Sequence, residues 1–171
     1  TVLDGVTDAT TGINLVLTVA SKYSGIVRLS GNAFISSQLR VYSNTIVDLD
    51  GYTVLAKSTS NEATGQYRGF FSSDASNIII CHGTIDGNAR LDYGMELTGG
   101  SNILVEDILV TNTRFLGSGT GIGSGIVTGK GPGGFIKRVT INRCRVTNVG
   151  GDGVLLVQTS YGTISNCYVE N

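Results

Sequence analysis

The stretch GMELTGGSNILVEDILVTN, Gly94 to Asn112, lies over GVLLVQTSYGTISNCYVEN, Gly153 to Asn171, at a constant offset of 59 residues. At an offset of 25, GFFSSDASNIIICHGTIDG from Gly69 to Gly87 falls on the same template, and Gly125 to Asn148 joins it once a five-residue insertion around GKGPG is allowed. The chain is therefore built from copies of one unit. Apolar residues stand in register through the copies. Phe70, Met95, Ile126 and Val154 form one column, Ile80, Val105, Ile141 and Ile164 a second, and Ile85, Val110, Val146 and Val169 a third. Each column reads as one buried stripe.

A unit of 23 to 25 residues alternates apolar and polar positions over about three short runs separated by Gly, Ser and Asn. That pattern describes three short strands and three bends. A unit this small cannot bury its own apolar face, whereas stacked copies share a continuous core. The sequence predicts an all-β chain wound as a right-handed parallel β-helix of about five coils.

A second kind of column is polar. Asn44, Asn77 and Asn102 align at strand starts, and Asn112, Asn148 and Asn171 at strand ends. Asparagine tolerates left-handed backbone and bonds nearby main chain. Stacked coil on coil, such amides also bond one another, so these columns are expected to be ladders.

With 171 residues the expectation is a single domain, and 25 Gly with 15% charged residues implies many tight turns on a weakly charged surface. A net charge of −1 gives no electrostatic case for nucleic acid or an anionic membrane as partner. The most apolar stretch, Ile13 to Ala20, is far shorter than a bilayer span, and no basic, apolar, small-residue leader precedes it in these residues. There is no Asn-x-Ser/Thr sequon.

Three cysteines, an odd number, argue against a disulfide framework. Cys144 and Cys167 share the inward column of Ile108 and are expected as buried thiols one coil apart, within near reach of a disulfide. Cys81 and the single histidine, His82, fall in a bend column with Glu106–Asp107, Asn142–Arg143 and Ser165–Asn166. One His beside one Cys is too few ligands for a metal, so no metal and no cofactor are expected. Down the same column Asp107 should face Arg143.

The Gly-rich stretch from Gly117 to Gly134 is not a phosphate loop: Ser124 stands where the first Gly of G-x-x-x-x-G-K-[ST] belongs, and Gly131 follows Lys130. It reads as two loops flanking the Gly125 strand, either specificity-building or plain connection.

The N-terminus, DGVTDAT from Asp4 to Thr10 followed by GINLVLTVASKYSGIVRLSGNAFISSQLRVYSNTIVDLDGYTVL, resembles the opening of the pectate-lyase-like, or pectin-lyase-fold, superfamily. The resemblance covers nearly the whole chain. It implies a helix from about Thr10 to Ala20 that closes the end of the core, with residues 1–24 as turn and cap and 25–171 as β-helix. Ile13, Leu15, Leu17 and Val19 also alternate as a strand would, whereas the helical face would be Ile13, Val16, Leu17 and Ala20. The helix is preferred because an uncovered β-helix end exposes unpaired backbone. The β-helix is expected to continue beyond Asn171.

The superfamily includes polygalacturonases, polysaccharide lyases, alginate epimerases and trimeric bacteriophage tailspikes, so the resemblance implies a polysaccharide partner, an extracellular or virion-tail location and a homotrimer. Fold alone does not give function. GTIDGN, Gly83 to Asn88, resembles a bend of polygalacturonases and epimerases and reads as structural. GGDGV, Gly150 to Val154, is similar to their Asn-Thr-Asp-Gly-Ile segment and puts Asp152 on a catalytic carboxylate, although Gly150 and Gly151 depart from Asn-Thr. The later Gly-Asp-Asp, His and Arg-Lys elements are not within these residues, and the epimerase Asp-Pro-His-Glu falls on Leu155, Leu156, Val157 and Gln158.

Glycoside hydrolysis needs two carboxyls about 5 to 10 Å apart. The outward column Arg68, Tyr93, Ser124, Asp152 and its neighbour Phe71, Glu96, Val127, Leu155 give Asp152 no partner one coil away. Asp152 is the candidate acid or base, with a turn role before Gly153 as the alternative. Candidate carbohydrate contacts are Arg90, Asp92, Tyr93 and Glu96, with Tyr67 and Tyr161 as further stacking faces. Phe71, Val127 and Leu155 read as an apolar strip covered by a loop or another chain. The two functional readings are a polysaccharide hydrolase or lyase with an incomplete catalytic set, and a non-catalytic adhesion or structural β-helix such as a tail-fibre segment.

Overall fold

The computed structural model describes residues 3–57, 67–114 and 123–170. Among the described residues one helix, α1 (Thr10–Lys22), precedes coils of parallel strands. The first coil holds β1 (Ile26–Arg28), β2 (Ala33–Ile35) and β3 (Leu39–Arg40), and the second β4 (Thr45–Asp48), β5 (Thr53–Ala56) and β6 (Arg68–Ser73). Next come β7 (Ser76–Asp86) with β8 (Tyr93–Thr98), then β9 (Ser101–Thr111) with β10 (Ser124–Gly129). The chain closes with β11 (Ile136–Asn142), β12 (Arg145–Thr147) and β13 (Val154–Leu156), then β14 (Thr159–Ser165) and β15 (Tyr168–Glu170).

The strands stack into three walls. One runs β1-β4-β7-β9-β11-β14, a second is formed by β2, β5, the far halves of β7 and β9, β12 and β15, and the third runs β3-β6-β8-β10-β13. This is the expected β-helix.

The register matches the aligned columns. Val105, Ile141 and Ile164 pair across β9, β11 and β14, and Phe70, Met95, Ile126 and Val154 across β6, β8, β10 and β13. Val105 and Ile141 are fully buried, whereas Ile164 is 46% exposed. Ile164 keeps its inward register, but no described coil lies on its far side.

The corners explain the polar columns. His82, Asp107, Arg143 and Asn166 all carry left-handed backbone, which turns β7 and β9 from the first wall into the second. Asn44, Asn77 and Asn102 are left-handed too, and their amides form a ladder: Asn77 Nδ2 donates to Asn44 Oδ1 and Asn102 Nδ2 to Asn77 Oδ1, each at 2.9 Å. Arg138 closes it through Nε to Asn102 Oδ1 at 2.6 Å. At the other corner Asn148 Nδ2 donates to Asn112 Oδ1 at 2.5 Å, and Asn112 Nδ2 to Asp86 Oδ1 at 3.0 Å. Asn171 lies outside the described residues.

The glycines that open the third-wall strands are required by close approach rather than by turn geometry. A Cβ on Gly94 would strike Val110, one on Gly125 would strike Val146, and one on Gly153 would strike Val169. The valine stripe therefore fixes the glycine column.

Helix α1 buries Thr10, Ile13, Leu17 and Ala20. Val16, expected on this face, is 47% exposed, because the buried stripe advances by three and four residues from Ile13 through Leu17 to Ala20 and leaves Val16 to one side. Asp8 secures the start, accepting from Thr10 N at 3.0 Å, from Thr10 Oγ1 at 2.6 Å and from Ser36 Oγ.

Cys144 and Cys167 occupy consecutive coils of one column and are free thiols, directed at the carbonyls of Asn142 and Ser165. Burial pushes the Cys144 thiol up to about 11. The second Gly-rich loop is a pinned turn: Gly131 and Gly134 bond each other reciprocally at 3.0 Å, and Asp74 Oδ1 accepts from Gly133 N at 2.9 Å. The part of that stretch before residue 123 lies outside the described residues.

Candidate functional site

Two polar clusters decorate the coils. The first lies on the outer face of the third wall, where alternation along β6, β8 and β10 turns Phe71, Glu96 and Val127 outward in register. Arg68 folds back over this face, pairing through Nε with Glu96 and standing 4.8 Å from the Phe71 ring and 6.0 Å from the Tyr93 ring. Arg40 also lies over the Phe71 ring, at 5.5 Å. Phe71 is thus flanked by two guanidinium groups and half-buried, and Val127 is buried. Leu155 continues the row, half-buried.

The candidate glycan residues divide. Glu96 and Tyr93 belong to this face, but Tyr93 is buried and its hydroxyl is held above the ordinary tyrosine range, first by burial and then by the charges of Glu96 and Asp92. Asp92 does not reach solvent. Its carboxylate accepts from Tyr67 N at 2.7 Å and pairs with Arg114, so it ties one coil to the next and presents nothing to a sugar. The sequence pattern placed it near a bend without showing that the bend folds inward. Arg90 is half-buried in the turn between β7 and β8. Tyr67 donates its hydroxyl to Ile35 O at 2.9 Å, and burial raises its pKa. Of the three proposed stacking tyrosines, Tyr161 alone keeps an open ring, at 84% exposure, and it stands on the first wall.

Asp152 is exposed and precedes β13. Its backbone N–H donates to Ser124 Oγ at 3.1 Å and its carbonyl accepts from Gly125 N at 2.9 Å, so the main chain is anchored while the carboxylate faces outward. The register separates it from Glu96 by two strand spacings and three residues. With strands about 4.8 Å apart and about 3.3 Å per residue, the two Cα atoms lie about 14 Å apart. GTIDGN is structural: Asp86 Oδ1 accepts from Asn88 N at 2.8 Å, and Gly83 packs its α-carbon against Leu49 and Tyr52.

The second cluster adds a residue that the sequence reading did not include. At the corner between the first and second walls, Asp48 pairs in register with Cys81, and Cys81 with Glu106. Asp48 Oδ1 lies 3.1 Å from His82 Nδ1, and its Oδ2 accepts from Arg28 Nε and Nη2, each at 2.9 Å. Burial raises the Asp48 pKa, but the bonds from Asp50 N, His82 and Arg28 outweigh it and hold the carboxyl below its ordinary value. One coil on, Arg143 grips Asp107 through Nε and Nη2, each at 2.8 Å, and reaches Glu106 at 2.9 Å. The expected Asp107–Arg143 pair is therefore present and bidentate. Burial, then the charges of Asp48, Glu106 and Asp107, pushes the Cys81 thiol up to about 11. The signal for Asp48 was available: the offset of 33 from Asn44 to Asn77 also carries Asp48 onto Cys81.

A shallow groove of about 570 Å³ runs along the outer face of the first wall, floored by Ile46, Ile79 and Leu104 and edged by the Asn ladder. Its floor is aliphatic and carries no carboxylate. No helix among the described residues is long and apolar enough to cross a membrane.

No curated protein sequence matches the chain. Among solved structures, it is similar to a protein from Parabacteroides merdae ATCC 43184 provisionally named a glycosyl hydrolase, with 16% identity and a TM-score of 0.64 over 98% of this chain and 93% of that one. At that identity the likeness concerns the fold. The model of the right-handed β-helix region matches residues 19–171, which takes in every strand described above. The chain belongs to the right-handed β-helix family.

Proposed function

We propose that the protein recognises polysaccharide along the outer face of its third wall and that Asp152 serves as an acid or base in cleaving it. The observation that supports this best is the row Arg40, Phe71, Arg68 and Glu96, which sets planar donors, a ring and a carboxylate on one face. Sugars are bound by that mixture of flat apolar surface and charged hydrogen-bonding groups. Successive strands repeat every 4.8 Å or so, close to the length of one sugar along a chain. Tailspike-like trimerisation and an extracellular or virion-tail location accompany this reading.

The second reading is a non-catalytic adhesion or structural β-helix. It is favoured by the arrangement of the carboxylates, since Glu96 stands two strands and three residues from Asp152 and is paired with Arg68. Incubation with a panel of acidic and neutral polysaccharides separates the two, with reducing ends and unsaturated-product absorbance measured alongside binding by calorimetry. New reducing ends support the enzyme, and binding without products supports the adhesin. Absence of binding to every member, with Arg40→Ala behaving like the parent, overturns polysaccharide recognition on this face.

A further inference from the structure

We propose that Asp48, Cys81 and His82 form a binding site for a single borderline-soft divalent cation of the zinc class. One ligand atom from each, a carboxylate oxygen, Sγ and a ring nitrogen, lies within 4.8 Å of the other two. Tetrahedral zinc holds sulfur at about 2.3 Å and nitrogen or oxygen at about 2.0 to 2.2 Å, which brings ligand atoms to roughly 3.5 Å from one another. The Asp48–His82 edge already has that length at 3.1 Å, so only Sγ must approach. Three unlike protein ligands with an open fourth position are a combination zinc accepts.

The surroundings support a cation as well as the ligands do. Metal-bound histidines commonly donate their other ring N–H to a carboxylate, which fixes the tautomer and the ring plane. His82 is placed for that arrangement: Nδ1 faces Asp48, and Nε2 lies 3.9 Å from Asp107 Oδ2, within a few tenths of an ångström of hydrogen-bond length, with that carboxylate held by Nε and Nη2 of Arg143. Asp48 is oriented likewise, with Arg28 on Oδ2 and with Oδ1 facing the histidine while it accepts from Asp50 N at 3.0 Å. Three carboxylates, Asp48, Glu106 and Asp107, surround the corner against two guanidiniums, Arg28 and Arg143, so the local charge favours a cation. The left-handed backbone of His82 is what swings its ring beside Asp48 instead of along the strand. On binding, the Cys81 S–H bond breaks, its proton passes to solvent, and the sulfur electron pair forms the bond to the metal; the proton that Nδ1 of His82 shares with Asp48 is exchanged through solvent to Nε2, which frees the Nδ1 lone pair as ligand.

The test is a titration of the reduced, metal-free protein with Co²⁺, followed by displacement with Zn²⁺. One equivalent of Co²⁺ should give a sulfur-to-cobalt charge-transfer band in the near ultraviolet and visible bands of tetrahedral intensity, all erased by Zn²⁺. Cys81→Ser should abolish the charge-transfer band, and a Cys144→Ser/Cys167→Ser double variant should keep it. His82→Asn, at an exposed position where Asn accepts the left-handed backbone, should weaken affinity at least about tenfold without loss of fold, and Asp107→Asn should weaken it about 10- to 100-fold, the usual cost of losing such an outer partner. Absence of a charge-transfer band in the folded parent overturns the site. So does a band that survives Cys81→Ser, or affinity unchanged in His82→Asn.

Discussion

The asparagine ladder at the entry to the first wall makes two separable contributions, and Asn77 tests both. Its amide makes one bond upward, to Asn44, and receives one from below, from Asn102, each at 2.9 Å, while its backbone sits at φ +59°. A net hydrogen bond is worth about 0.5 to 1.5 kcal/mol, and these exposed ones belong at the lower end, so losing both costs about 1 kcal/mol. Asn77→Gly removes the bonds but accepts the left-handed backbone. Asn77→Ala removes the bonds and adds about 1 kcal/mol for placing a Cβ in the left-handed region. At about 2–4 °C per kcal/mol for a chain of this size, the glycine variant should melt about 2–4 °C below the parent and the alanine variant about 4–8 °C below. Because Asn44 and Asn77 share one bond, the Asn44→Gly/Asn77→Gly double variant should lose less than the sum of the singles, by about 0.5 kcal/mol. Melting by circular dichroism with a matching urea series reads all four. If Asn77→Gly melts with the parent, the ladder contributes nothing to stability. If the glycine and alanine variants melt together, the backbone argument is wrong.

Replacing Ile141, fully buried between Val105 and Ile164, with Asp buries an unpaired charge, and the loss of several kcal/mol should abolish the cooperative melt; parent-like melting of Ile141→Asp refutes the register. Asp152→Asn should leave stability and glycan binding in place and lower turnover at least about a hundredfold if the carboxylate is an acid or base, whereas full turnover would leave it a turn residue. Burial alone would raise the Asp8 pKa, but hydrogen bonds from Ser36 and Thr10 outweigh it and lower it below 3.8. The ionised form is therefore favoured by folding, so its contribution is complete above the unfolded carboxylate range and is lost as pH falls through the lower folded value. Asp8→Asn should melt below the parent at neutral pH and converge with it in acid; a constant gap across that range refutes the linkage.

The coils were legible because their period is written in residues that cannot be exchanged. A valine at position 110, 146 or 169 leaves no room for a Cβ on the glycine of the adjacent strand, so stripe and glycine column constrain each other and survive as aligned letters. The asparagines persist for a different reason, since each corner needs left-handed backbone and each amide needs the next. Ile164 shows the limit of this reading. Its column was right, but exposure depends on what lies on the far side of the coil, which alignment of columns does not contain.

The outward side chains were harder to read, for a physical reason. Alternation along a strand states which residues leave the core, but not where a long flexible side chain comes to rest. Arg68 could have projected into solvent as a ligand for a sugar acid; instead it lies across Phe71 and bonds Glu96, which converts an expected apolar strip into a mixed charged surface. Asp92 goes further and turns inward, because Tyr67 N and Arg114 supply the partners that make its burial tolerable. At the corner between the first and second walls the sequence conceals a neighbour instead. Against the later coils, whose letters are Glu106–Asp107 and Asn142–Arg143, Cys81 and His82 read as a lone pair at a bend. The earlier coil supplies Asp48 by strand pairing, a neighbour 33 residues away in sequence and one strand away in space. In a stacked fold, the chemistry at any position belongs to the column on both sides of it, and a site is found by reading the column in both directions.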